Sequence, residues 1–76
     1  MKKLFSFNKL QELVKPYDLH DVLITLMENN LIEEYSVEYL DDTIELVIPK
    51  DVEIREVMAG FQNVVESGRK SKGDIH

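Results

Sequence analysis

The chain has 76 residues, with 15 Asp and Glu against 9 Lys and Arg, 43% hydrophobic residues and no cysteine. That length supports one domain with a thin core, burying about 60% of the unfolded surface. The missing cysteine excludes a disulfide framework and a thiolate metal site, and a net charge of −6 disfavours nucleic acid and membrane surfaces as partners.

The charge is unevenly spread. Residues 1–17 set four lysines against Glu12, for +3, and residues 57–76 set Arg69, Lys70 and Lys72 against Glu66 and Asp74, for +1. Residues 18–56 hold twelve carboxylates against Lys50 and Arg55, for −10. A field of that sign steers the domain toward basic proteins. The opening MKKLFSFNKL is interrupted by Ser6, Asn8 and Lys9, so it is not expected to act as a signal sequence. No stretch approaches the ~18 apolar residues of a membrane span. A soluble, cytoplasmic protein is expected, and the thin core makes a homodimer plausible.

Apolar residues at Phe7, Leu10, Leu13 and Val14 predict a first helix, with Ser6 as its N-cap and Pro16 as its stop. Asp18 stands at the N-cap of a second helix whose stripe is Leu19, Val22, Leu23, Leu26 and Met27. Asn29-Asn30 ends it, with Leu31 folding back as the hydrophobic contact after a left-handed residue. Residues 33–49 alternate as a hairpin folded at Asp41-Asp42. The register read from that turn pairs Tyr39 with Ile44, Val37 with Leu46 and Tyr35 with Ile48, and sets Glu38 opposite Glu45.

Leu40 and Val47 would share the outer face with Glu34, Ser36, Glu38, Thr43 and Glu45, where they could seat a second copy of the hairpin. Pro49 closes the second strand and points to a sheet edge. Asp51 is expected to cap a third helix over 52–66, with Gly60 marking close packing against the hairpin. The fold class is therefore α+β, in the order α-α-β-β-α, with an antiparallel hairpin packed on helices. Residues 1–66 form the domain and 67–76 a flexible C-terminal tail.

No motif names a reaction. His20 has no sequence-local His or Cys partner and reads as a surface residue. The serines lie in no nucleophile motif, no Ca²⁺-loop pattern surrounds Asp41-Asp42, and no glycine-rich loop could hold phosphate. The expectation is a protein that is not an enzyme, without metal or cofactor. Helix, helix and hairpin resemble part of a winged-helix DNA reader. Here, however, the wing carries Glu38, Asp41, Asp42 and Glu45, which phosphates repel.

In size, composition and charge layout the whole chain resembles the small acidic early proteins with which bacteriophages disable host machinery, several of them DNA mimics. The resemblance implies an inhibitor that occupies the basic nucleic-acid-binding surface of a host protein, for example a histone-like nucleoid protein, without binding nucleic acid itself. Glu34, Glu38, Asp41, Asp42 and Glu45 would then act as phosphate surrogates. The competing class is a small dimeric regulatory or adaptor module that binds through apolar surfaces and is acidic for solubility.

Overall fold

A computed structural model describes the backbone of residues 1–73 and the side chains of residues 1–67. The elements are β1 (Lys2–Ser6), α1 (Phe7–Val14), α2 (Leu19–Glu28), β2 (Glu34–Glu38), a 3₁₀ turn (Tyr39–Asp41), β3 (Thr43–Val47) and α3 (Ile54–Gly73). The α-α-β-β-α order is present in an α+β fold, with one strand added in front. The sheet order is β1-β3-β2 and both pairings are antiparallel, so β3 is central.

The added strand, KKLFS, has no apolar alternation, and only its last two residues are even half-buried. It is held by backbone pairing along the side of β3 that β2 leaves open. The Met1 amino group donates to Ile48 O at 2.9 Å and Ile48 N–H donates back to Met1 O at 2.6 Å. Two expectations change with it. The sheet has three strands, and Pro49 marks no edge. It follows the central strand just beyond the last ladder bond, where no N–H is needed.

The caps explain why the helices begin and end where they do. Ser6 Oγ accepts from Lys9 N–H at 3.3 Å and Asp18 Oδ1 from His20 N–H at 2.8 Å. At the end of α2, Asn30 is left-handed with φ 62°. Leu31 N–H reaches Leu26 O at 2.9 Å and Asn30 N–H reaches Met27 O at 3.1 Å, which is the paired bonding of a Schellman motif. Gln11 fixes the turn between α1 and α2, donating to Tyr17 O at 2.8 Å and accepting from Leu19 N–H at 3.0 Å.

The third helix departs from expectation at both ends. Asp51 lies in a turn closed by Val52 N–H to Pro49 O at 3.1 Å. Glu56 instead covers the helix start, its carboxylate accepting from Glu53 N–H at 2.7 Å, as in half of a capping box. The helix runs on through Gly73 rather than ending at 66, because elongation adds a bond per residue once the anchored turns exist. The remainder of the expected tail, residues 74–76, lies outside the described residues.

One cluster forms the core. Ile44, Leu46 and Ile48 meet Leu10 and Val14 of α1, Leu19, Val22, Leu23 and Leu26 of α2, and Val57, Phe61 and Val65 of α3. Each fully buried aliphatic or Phe side chain contributes roughly 1.5–3 kcal/mol. Gly60 does mark a close approach, but to α2 and the loop that follows it rather than to the hairpin. A Cβ there would stand 2.5 Å from Leu31 Cδ1 and 2.9 Å from Leu26 Cδ2. All three helices thus cover the inner face of the sheet, and the outer face is left open. Among the described residues no helix is long and apolar enough to cross a membrane.

Candidate functional site

The open face is built by the register of the three strands. In the β2–β3 ladder Glu34 faces Val47, Tyr35 faces Leu46, Ser36 faces Glu45, Val37 faces Ile44 and Glu38 faces Thr43. This differs by two residues from the register expected of a two-residue turn. The chain spends four residues, Tyr39 to Asp42, on the reversal, and Asp42 takes the left-handed conformation with φ 51°. An even slip keeps every side chain on its face. It does remove the head-on Glu38/Glu45 clash and put Ser36 beside Glu45 instead.

Three of the five predicted residues therefore share one surface. Glu34 and Glu38 are exposed on β2 and Glu45 is half-buried on β3. Residues two apart on a strand are ~6.6 Å apart along its axis, so Glu34, Glu45 and Glu38 recur at that step, alternating between the two strands. Beyond β3, β1 completes three rows with Lys2 beside Val47, Leu4 beside Glu45 and Ser6 beside Thr43. Lys2 is thus roughly 10 Å from Glu34, two strand spacings away. Among the described residues the ion pairs are Lys15 with Glu12 and Arg55 with Glu53. Neither neutralises the ladder.

The other two predicted residues part company. Asp41 is exposed in the turn. Asp42 is turned toward the start of α1, where Ser6 Oγ donates to its Oδ2 at 2.5 Å and Asn8 N–H donates to its Oδ1 at 2.8 Å. Its backbone carbonyl accepts from Phe7 N–H at 3.2 Å. These donors, with Lys9 nearby, hold the Asp42 carboxyl below its ordinary value of 3.8. Helix N-termini attract carboxylates for the same reason. Asp42 ties the hairpin to α1, and each of its carboxylate oxygens already accepts a bond there.

Sequence reasoning missed the surroundings of the turn. Tyr39, expected inside opposite Ile44, lies in the 3₁₀ turn and is 66% exposed, while Leu40 is 100% exposed. Val47 alone of the expected apolar pair lies on the outer face. His20 is half-buried rather than a free surface residue, with Nδ1 3.1 Å from the Tyr35 hydroxyl and Nε2 2.9 Å from the Tyr39 hydroxyl. Each hydroxyl can donate or accept, so both ring nitrogens have a partner whichever of them carries a proton. Phe7 packs edge-on against Tyr39 with centroids 5.4 Å apart. The only sequence signal for this cluster was the position of His20 in the first turn of α2, near a hairpin containing two tyrosines.

Two surface grooves of about 300 and 250 Å³ lie along the helices. Among the described residues the first offers Gln62 and Glu66 as polar side chains beside Leu13, Met58 and Val65. In the second, Asp18 already caps α2. No family model, curated protein or solved structure matches the chain.

Proposed function

We propose that the protein is an acidic protein-binding inhibitor, a DNA mimic that occupies the basic nucleic-acid-binding surface of a host protein such as a histone-like nucleoid protein. The observation that carries this reading is the Glu34–Glu45–Glu38 ladder on an uncovered sheet face. Its step of ~6.6 Å along the strands, ~8 Å between neighbouring Cα positions once the ~4.8 Å strand spacing is included, is of the order of the separation between successive phosphates on one nucleic-acid strand. A groove of lysines and arginines that releases counterions from phosphates would meet a similar row of charge here. Asp41 extends the row at the turn, and Asp42 supports it by fixing the turn to α1. The test is displacement of labelled duplex DNA from a purified histone-like nucleoid protein. Displacement should weaken steeply as salt rises and should disappear in a Glu34→Lys, Glu38→Lys, Glu45→Lys variant. If that variant displaces DNA as well as the parent does, the reading is wrong.

A second reading, the adaptor module, is favoured by the fully exposed Leu40 beside Tyr39. Binding through that tip would change little with salt. The winged-helix alternative gains the strand order β1-β3-β2 and a four-residue turn between α1 and α2. Against it, α2 exposes Asp21, Ile24 and Glu28 and contains no Lys or Arg. A helix read by DNA needs the opposite sign.

A further inference from the structure

The sheet has two open edges, and they differ in what guards them. Met1 and Ile48 exchange both backbone bonds, and Phe7 N–H donates to Asp42 O. With the β1–β3 register, the alternation of an antiparallel ladder makes Lys3/Leu46 and Phe5/Ile44 the bonded pairs. Lys2, Leu4 and Ser6 therefore turn their amide groups away from β3 toward solvent. On the other edge the same alternation frees Tyr35 and Val37. Glu33, Glu34 and Glu38 stand around them and repel a second copy of the same strand.

We infer that β1 pairs antiparallel with β1 of a second copy about a two-fold axis at Leu4, joining two sheets into one of six strands. The three outward-facing residues are self-complementary about that axis. Leu4 meets the partner's Leu4, and Lys2 meets the partner's Ser6. Ser6 C=O serves the first turn of α1 as the N-cap carbonyl, but its N–H remains free for the partner's Lys2 C=O. Leu4 is apolar and 66% exposed at the middle of the strand, and the pairing would cover it with its own copy. Lys3 falls opposite the partner's Phe5, so the lysines that would otherwise block this edge are kept apart. The contact uses the more positive end of the chain, residues 1–17, and holds the acidic hairpins at the far ends. Pairing β1 with β2 of the next copy would satisfy charge too, but it would propagate rather than close.

The two-fold axis stands perpendicular to the sheet, which keeps both open faces on one side. The two Glu45 positions would then be three strand spacings apart, ~14 Å. That is close to the ~12 Å width of the DNA major groove. This consequence rests on the proposed function, whereas the pairing does not.

Sedimentation equilibrium on the full chain from micromolar to millimolar concentration tests the pairing without any target protein. The expected mass rises toward twice the 8.9 kDa of one chain. Leu4→Pro removes an amide that faces the edge and not β3, so it should keep native circular dichroism and stay at monomer mass. If it fails to fold, Leu4→Lys, which sets like charges across the axis, takes its place with the same expectation. Because the chain has no cysteine, single-cysteine variants read the register directly. A bonded pair stands ~5.5 Å apart at Cα, inside the range a disulfide spans. Leu4→Cys should crosslink under mild oxidation, and Ser36→Cys on β2 should not. The inference fails if the parent remains a monomer throughout, if the Leu4 variants still double in mass, if mass grows beyond two copies, or if Ser36→Cys crosslinks as readily. A monomer that still displaced DNA would overturn the pairing and leave the mimic intact.

Discussion

On the inner side of β3, Ile44 and Leu46 are fully buried against the helices, while one residue along, Thr43, Glu45 and Val47 look out between the strands on either side. The same five-residue strand thus serves two environments, divided by the two-residue repeat of a sheet. The inner residues are fixed by packing, which tolerates little change. The outer carboxylates are not. Among the described residues no ion pair holds Glu34, Glu38 or Glu45, and nothing packs on top of them. Three neighbouring carboxylates cost a little stability through repulsion, so the fold itself gives no reason for them. The proposed binding role would supply one.

The sharpest way to break this comparison is to truncate neighbours on opposite faces. Leu46→Ala should cost about 2–5 kcal/mol, a large part of the stability of a small domain. Urea denaturation would show its midpoint falling far below that of the parent. Glu45→Ala, one position away, should leave the midpoint nearly unchanged. Equal losses at the two positions would mean that the outer face is covered after all.

A smaller effect is expected where the two faces are joined, at the junction of the turn with α1. Ser6→Ala removes the N-cap and one Asp42 donor and should cost about 1 kcal/mol. The pH dependence of stability identifies the Asp42 contribution. Its folded carboxyl titrates below the ordinary value of 3.8, so the folded state binds its proton less readily than the unfolded chain does. The contribution is present above that value and is lost as pH falls through the lower folded one. Asp42→Asn should therefore be less stable than the parent at neutral pH, with the gap closing in acid. Asp41→Asn should show no such gap.

The local signals in the sequence were enough for the ends of the first two helices, though not for those of α3. Ser6, Asp18, and Asn30 with Leu31 act as caps or stops where residue chemistry placed them, because a cap is satisfied by amides within a few residues. The hairpin was legible as to face but not as to register. The alternation continues through Tyr39, and nothing local shows that this residue leaves the strand for a turn. What takes it out is distant in sequence: His20 bonds its hydroxyl, and Asp42 is drawn to Ser6 at the cap of α1 and to Asn8 in its first turn. β1 was illegible for the same reason, since its pairs run from Lys2 with Val47 to Ser6 with Thr43, far apart in sequence, and its side chains are mostly exposed. Of the candidate site, the three glutamates could be read from alternation alone. The diversion of Asp42 could not, because an aspartate that caps a remote helix looks the same in sequence as one that faces solvent.

The finest test of the comparison lies in the ladder itself. Replacing Glu34, Glu38 and Glu45 together with Gln keeps their size and removes three like charges. Surface changes of this kind usually fall within about ±0.5 kcal/mol, and here relief of repulsion sets the sign toward stabilisation. Salt distinguishes that relief from a gain in packing. The carboxylates stand ~6.6 Å apart along the strand direction, and the screening length shrinks from ~30 Å at 0.01 M salt to ~8 Å at physiological ionic strength. Repulsion should therefore be strongest in dilute buffer. Thermal melts of the parent should rise with added salt more than those of the triple Gln variant, and the two should converge. A triple variant destabilised by more than about 1 kcal/mol would mean that the glutamates hold the sheet together. Their presence on the open face would then need no partner to explain it.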